Sequence, residues 1–190
     1  EYVAEPKLDG VAVEVVYEKG KFVFGSTRGD GIIGEDISLN LKTINSLPLN
    51  LYTEAEVPYR LELRGEVFIQ KDDFKKLNQR QSERGKNIFA NPRNCASGSL
   101  RQLDPGITAK RPLVVNFYGC GIIDGFSIDT QFDFIKQLPD WGLPVNSLIE
   151  KGKGIDFILS YYDLMEQKRN SLNYDIDGVV FKVNSFKLQN

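Results

Sequence analysis

Lys7 stands two residues before an Asp-Gly pair, in Glu5-Pro6-Lys7-Leu8-Asp9-Gly10. If residues 3–7 are extended, Glu5 and Lys7 share a face, because strand side chains repeat every second residue. A second Asp-Gly, with a lysine five residues after its Asp, lies near the other end of the chain, in Asp177-Gly178-Val179-Val180-Phe181-Lys182. An amine with a carboxylate beside it is the arrangement of covalent catalysis by lysine. Lysine is protonated at neutral pH unless it is desolvated or lies near another cation, and Lys182 on a neighbouring strand is a source of that second charge. Attack on phosphorus also needs cations to neutralise the developing charge, a role that fits Lys182 and an arginine. Asp9 and Asp177 are placed to orient the amine or to hold Mg2+. Each Asp-Gly is also compatible with a simple turn; two of them, both next to strand-borne lysines, bring the functional reading forward.

Other residues offer partners for such a nucleophile. Arg28, in Ser26-Thr27-Arg28-Gly29-Asp30-Gly31, sits among glycines that permit close approach to a ligand, or is a plain hairpin-end arginine. Alternation in Leu61-Glu62-Leu63-Arg64-Gly65-Glu66-Val67 sets Glu66 opposite Leu61, Leu63 and Val67. That fits a solvated Glu-Arg face and equally a carboxylate that accepts ribose hydroxyls; Gly65 marks a bulge or a ligand lying close. Arg93 lies just inside a helix start at Asn91, where anions are attracted. Arg101 follows eight residues on, about 80° around the helix, so both arginines serve one groove if they are not ordinary surface residues. Tyr118 stands in an apolar stretch and is either core or a platform for a base. Trp141, Phe134 and Phe157 read as core.

The bulk numbers narrow the chemistry. A chain of 190 residues, 41% hydrophobic, suits one domain with an ordinary core. No apolar run approaches the roughly 20 residues of a membrane span, and no signal peptide is visible. The chain opens on Glu1 and ends at Asn190 with no obvious cap, which reads as a piece of something longer. The absence of histidine removes Ser-His-Asp and Cys-His catalysis and His-ligated zinc. Cys95 and Cys120 are isolated, make no metal or redox motif, and fit buried thiols in a reducing compartment. Net charge is −2, but residues 71–111 carry ten Lys/Arg against four acids, +6 there and −8 elsewhere. A local basic face binds phosphates; a solvated helix surface is the alternative.

These residues need elements to position them. Alternation predicts a hairpin over 11–18 and 21–28, turning at Glu18-Lys19-Gly20-Lys21, then a loop at Gly29-Asp30-Gly31 and a short helix near 35–43. Strands are expected over 60–70, 113–123 and 176–184, and helices over 71–83, 129–138 and 154–169. Asn91-Pro92 starts a helix over 92–103, whose Ala96-Ser97-Gly98-Ser99 permits close packing but is a poor helix former. Without strict βαβ alternation the expected class is α+β, antiparallel sheets flanked by helices.

At these residues the chain resembles the central part of the adenylation domain of bacterial NAD-dependent DNA ligases, nearly end to end. The resemblance rests on Glu5-Pro6-Lys7-Leu8-Asp9-Gly10, Thr27-Arg28-Gly29-Asp30-Gly31 with Gly34-Glu35-Asp36, Leu63-Arg64-Gly65-Glu66-Val67, and Asp175-Ile176-Asp177-Gly178-Val179-Val180-Phe181-Lys182-Val183. Its most specific stretch is Phe89-Ala90-Asn91-Pro92-Arg93-Asn94, continued by Ala96-Ser97-Gly98-Ser99-Leu100-Arg101-Gln102. The resemblance implies a DNA-ligase/nucleotidyltransferase (ATP-grasp-like) fold, with 1–190 an adenylation domain truncated at both ends. It implies that Lys7 attacks the α-phosphorus of NAD, expels nicotinamide mononucleotide and carries AMP to the 5′-phosphate of a DNA nick, which the 3′-hydroxyl then seals. Glu5 and Tyr118 would contact adenine, with Val180 on the other ring face; Arg28 and Glu66 would sit by the ribose, and Lys182 would hold the AMP phosphate. Asp9 and Asp177 would orient the nucleophile or a Mg2+ near Asp9, Glu66 and Asp177, and Arg93, Arg101 and Arg169 would face phosphates. It further implies NAD and nicked duplex DNA as partners, a monomer with no membrane attachment, a bacterial cytoplasmic, nucleoid-associated location, and zinc only in a domain this chain lacks. The family's segment for the nicotinamide half and its following lysine motif are absent, so the chain alone is not expected to seal nicks. Cys95 stands where the family usually has a small residue such as Ala. An ATP-using nucleotidyltransferase and a DNA-gripping module built on 71–111 are the competing readings.

Overall fold

Val13, Val15 and Tyr17 alternate with outward residues, and this pattern builds β2 (Val11–Glu18), which pairs antiparallel with β3 (Lys21–Thr27). Lys19 and Gly20 both take positive φ, 50° and 75°, the backbone that lets a two-residue turn follow the strands' twist. In the computed structural model, which describes residues 1–29, 34–52 and 56–189, β2 also pairs with β4 (Arg60–Ile69), and β4 with β5 (Leu113–Asp124). The four strands form an antiparallel sheet in the order β3-β2-β4-β5. A second antiparallel sheet has β1 (Tyr2–Leu8) between β6 (Glu150–Gly152) and β7 (Ile176–Val183). The protein is therefore mixed α and β with antiparallel sheets. Asp30 and Gly31 of the expected loop lie outside the described residues.

One face of the larger sheet makes the main core. Val13, Val15, Leu61, Leu63, Val67 and Phe117 point into it and meet Leu100, Phe134, Leu138 and Trp141. The covering helices are α1 (Ser38–Leu41), α3 (Pro92–Leu100) and α5 (Gln131–Gln137), while α2 (Lys71–Glu83) contributes Leu77. The smaller sheet packs Ala4 against Tyr161 and Met165 of α6 (Gly154–Lys168). Trp141 and Phe134 are fully buried, whereas Phe157 is only partly so and leans on Tyr161. Cys95 is buried and Cys120 half-buried, both free. No helix among the described residues is long and apolar enough to cross a membrane.

Three expectations shift. The helix near 35–43 is a single turn, Ser38–Leu41. The helix expected over 92–103 ends at Leu100, and α4 (Pro105–Thr108) starts separately. The residue before a proline is steered away from helix, and the Asp104 carboxylate instead caps the Gly106 N–H at 2.8 Å. Strand β6 has no counterpart among the expected strands: its three residues, Glu-Lys-Gly, carry no apolar alternation, and pairing with Tyr2–Ala4 alone makes it a strand.

Candidate active site

Strand register assembles one wall. Lys7 lies opposite Gly178, Glu5 opposite Val180 and Val3 opposite Lys182, so Lys7, Glu5, Val180 and Lys182 share a face of the smaller sheet. A register shift between Lys7 and Leu8 sits beside the first Asp-Gly, where the Asp9 N–H donates to the Asp175 carbonyl at 3.0 Å. This brings the two Asp-Gly segments together, and the Lys7 amine donates to both oxygens of Asp177, at 2.9 and 2.7 Å.

The outward face of the larger sheet is the opposite wall. Ala12 pairs with Glu66 and Glu66 with Asn116, all on the side away from buried Val67, and Tyr118 follows two residues along β5. The Arg28 N–H donates to the Ala12 carbonyl at 3.0 Å, fixing the end of β3 at this edge. Gly10 and Gly65 are required by space: a Cβ on Gly10 would collide with the Val67 carbonyl, and one on Gly65 would lie 2.9 Å from the Phe117 ring. Gly65 thus marks a register shift packed on Phe117, not a ligand lying close.

Between the walls is a cavity of about 410 Å3, and it gathers Glu5, Lys7, Arg28, Glu66, Tyr118, Val180 and Lys182 together with Arg93. Its ends differ. The Lys7 side chain is 52% exposed, whereas Glu5 is 6% exposed. Glu5 Oε1 pairs with the Lys182 amine at 2.6 Å, but Glu5 Oε2 is buried with no hydrogen-bond partner among the described residues. Lys182 also donates to the Tyr118 carbonyl at 2.7 Å and lies 4.9 Å from the centre of that ring. Four strand positions separate Lys182 from Lys7, about 13 Å of strand. Lys182 is therefore bonded to Glu5 and does not stand beside Lys7 as the second cation expected there.

Electrostatics follow burial. Desolvation raises the Glu5 carboxyl above its ordinary value, opposed by Lys182. Glu66 makes no ion pair among the described residues; desolvation pushes it up to about 7, opposed by the Gly10 N–H, Arg93 and Lys7. Tyr118 is pushed up to about 12, again first by burial. The Asp9 carboxylate, bonded to Arg93 at 2.9 Å, raises that guanidinium further. Among the described residues no three carboxylates or thiols cluster as a metal site. Asp9 is bonded to Arg93 and Asp177 to Lys7, so two of the three carboxylates expected near magnesium are held in ion pairs here.

Arg28 and Arg93 also line an adjoining groove of about 680 Å3, which adds Arg101. Asn91 accepts the Asn94 N–H at 2.7 Å and Pro92 fills the first turn, so α3 begins at this groove. Arg101 donates to the Ser97 hydroxyl and lies 3.9 Å from Glu35. Arg169 is not part of either space. It lines a small cavity of about 90 Å3 with Tyr162, Glu166 and Val179, on the side of β7 opposite Val180. Two polar residues of the cavity escaped the sequence reading. Asn116 was legible by alternation with Tyr118; Asn146, which donates to the Tyr174 hydroxyl at 2.9 Å, lies in a connection with no periodic signal.

The model of the NAD-dependent DNA ligase adenylation domain matches residues 1–190. A protein named DNA ligase from Geotalea daltonii is 54% identical over 189 residues, covering 100% of this chain and 28% of the relative. Proteins of the same name from Geobacter sulfurreducens and Ectopseudomonas mendocina are 52% and 53% identical over 189 residues, with this chain spanning 28% and 24% of their length. The match of the family model over the whole chain, together with these identities, places the chain in the NAD-dependent DNA ligase adenylation domain family.

Proposed function

We propose that this chain is the adenylation core of an NAD-dependent DNA ligase, one domain with the nucleotidyltransferase (ATP-grasp-like) fold. The observation that carries the reading is the polarity of the cavity: a lysine amine at its open end and, at its closed end, a buried carboxylate oxygen with no partner among the described residues. A nucleotide fits that polarity with its base inward and its phosphate at Lys7. Glu5 accepts and Lys182 donates side by side, which complements an amino group next to a ring nitrogen, the pattern of adenine. Lys182, expected at the phosphate, is therefore assigned to the base. Tyr118 stacks on one ring face and Val180 covers the other; Glu66 and Arg28 meet the ribose.

The Lys7 nitrogen attacks the α-phosphorus of NAD. An N–P bond forms, the P–O bond to nicotinamide mononucleotide breaks, and that group leaves with the electron pair. Asp177, bonded to the amine at 2.7 Å, orients the lone pair and is the nearest acceptor of its proton. Arg93 and Arg101 line the groove that receives the phosphates. AMP then passes to the 5′-phosphate of nicked duplex DNA, and the 3′-hydroxyl displaces it.

The test uses the full-length protein and its Lys7→Ala variant, each incubated with adenine-labelled NAD or ATP and Mg2+. Acid-stable label on the protein from NAD, absent from the variant, is the expected result. Label from ATP alone would move the protein to the ATP-using nucleotidyltransferases. No label from either, with nick binding retained, would leave a DNA-gripping module.

A further inference from the structure

The Tyr118 carbonyl accepts from two side chains outside its own sheet. Lys182 of β7 donates its amine at 2.7 Å, and Gln131, the first residue of α5, donates its side-chain amide at 2.8 Å. Gln131 is only 3% exposed, and a carbonyl can only accept, so the amide nitrogen is the end that faces it. β5 is the edge strand of its sheet, and an edge carbonyl needs a donor. Lys182 already supplies one, so the edge alone does not call for Gln131.

The backbone at Gln131 is clamped to the other wall of the cleft. The Gln131 N–H donates to the Asn184 carbonyl at 2.8 Å, and the Phe132 N–H to the Asn184 side chain at 3.0 Å. Asn184 follows Lys182 by two residues. Thr130 caps the same turn by accepting the Asp133 N–H at 3.2 Å. Gln131 therefore reaches Tyr118 of the larger sheet from a turn fixed to the smaller one, at the end where Glu5 and Lys182 close the cavity. An ammonium has three N–H donors in tetrahedral directions. Lys182 aims two of them, one at Glu5 Oε1 2.6 Å away and one at the Tyr118 carbonyl. The direction of the third then depends on where that carbonyl is held. Tyr118 and Lys182 also line a second cavity, of about 690 Å3, which Gln131 borders. Without the Gln131 amide, the carbonyl and the amine bonded to it have room to turn towards that second space.

We infer that Gln131 is a positioning residue for base selection: it holds the Tyr118 carbonyl so that the third N–H of Lys182 meets the ring nitrogen of adenine, beside the amino group that Glu5 accepts. The inference rests on the adenylation reading above and adds to it a residue that touches no substrate. A purine with a carbonyl at position 6 and a proton on N1 reverses both partners, offering an acceptor to Glu5 and a donor to Lys182. Such a base gains nothing from the aim of Lys182, so removal of the Gln131 amide weakens adenine alone.

The experiment uses the full-length protein and its Gln131→Met, Gln131→Ala and Thr130→Ala variants. Methionine keeps the length of glutamine and removes the donor; alanine removes it without an apolar tail and replaces the first variant if that one does not fold. Thr130→Ala loosens the same turn and leaves the amide in place. Binding of AMP and of inosine monophosphate is measured by calorimetry, and label transfer from NAD in parallel. In the Gln131 variants AMP affinity should fall about tenfold, the loss of one hydrogen bond to a charged group, while inosine monophosphate stays within about twofold. KM for NAD should rise by a similar factor with kcat within about twofold, because the base contact is the same before and during attack on phosphorus. Thr130→Ala should lower the melting temperature and keep the wild-type preference for AMP. Equal losses for both nucleotides in the Gln131 variants, or no loss for AMP, overturn the inference. So does a Thr130→Ala protein that loses the preference as far, or a wild-type protein that has none. A wild-type protein that prefers AMP but takes no label from NAD refutes the adenylation reading instead, and the nucleotide comparison still decides the role of Gln131.

Discussion

Glu5 and Glu66 share one cavity and differ in what faces them. Glu5 has the Lys182 amine at 2.6 Å, whereas Glu66 has the Gly10 N–H and cations further off. The folded-state value of Glu66, about 7, lies above its ordinary 4.5, so between those values the native protein holds a proton that the unfolded chain has released. This contribution to stability is full below pH 4.5 and is lost as pH rises through 7. The shift corresponds to on the order of 3 kcal/mol. Glu66→Gln removes it: melting temperature against pH should flatten across that window and exceed wild type at pH 8. A slope identical to wild type would show that burial does not hold the proton. For Glu5 the expected change is different. Removing one partner of a fully buried pair costs about 3–5 kcal/mol, but the Lys182 side chain is 22% exposed and recovers part of its hydration. Glu5→Ala should cost about 2 kcal/mol in denaturant unfolding, and Glu5→Ala with Lys182→Met should recover part of it.

At the scale of elements, the site depends on a helix cap and on a turn with no room for a side chain. Asn91 accepts the Asn94 N–H at 2.7 Å, and Arg93 sits in the turn so capped. Asn91→Ala should cost about 1 kcal/mol, read from chemical denaturation, and should weaken phosphate binding in the groove by fraying the turn that carries Arg93. Gly10→Ala places a Cβ against the Val67 carbonyl, a backbone atom that cannot swing away. It should cost about 1–3 kcal/mol. The sequence is legible here where periodicity and local chemistry decide the outcome. The strands at Val11–Glu18 and Arg60–Ile69 show period-2 alternation, and Asn91-Pro92 declares a helix start. It is illegible where distant packing decides. β6 exists through pairing with Tyr2–Ala4, and the choice of Glu5 rather than Lys7 as Lys182's neighbour is a matter of β1–β7 register. Arg169 falls beyond β7 from the cleft because the phase at the end of α6 sends it there, next to Tyr162 and Val179.

For the molecule as a whole, the cavity has one wall from each sheet, and the walls are joined by few covalent connections. β1 runs into β2 through Asp9-Gly10, while the return from β5 to β6 passes through α5 and residues 138–149. Polar pins add to these: Lys182 to the Tyr118 carbonyl at 2.7 Å and Arg93 to Asp9 at 2.9 Å. A ligand lying between Tyr118 and Val180 touches both sheets at once, so its binding free energy stabilises their mutual placement as well as either sheet alone. At about one hundred times its dissociation constant a ligand contributes about 2.7 kcal/mol to the folded state. AMP added to the full-length protein at that ratio should therefore slow amide exchange in β1 and β7 and in β4 and β5 together. Adenosine, without the phosphate, should protect the same strands, because the base end of the cavity is the buried one. Protection by AMP confined to the groove at α3, with β7 and β5 unchanged, would place the nucleotide outside the cavity and remove the base-inward arrangement on which the assignment of Lys7 depends.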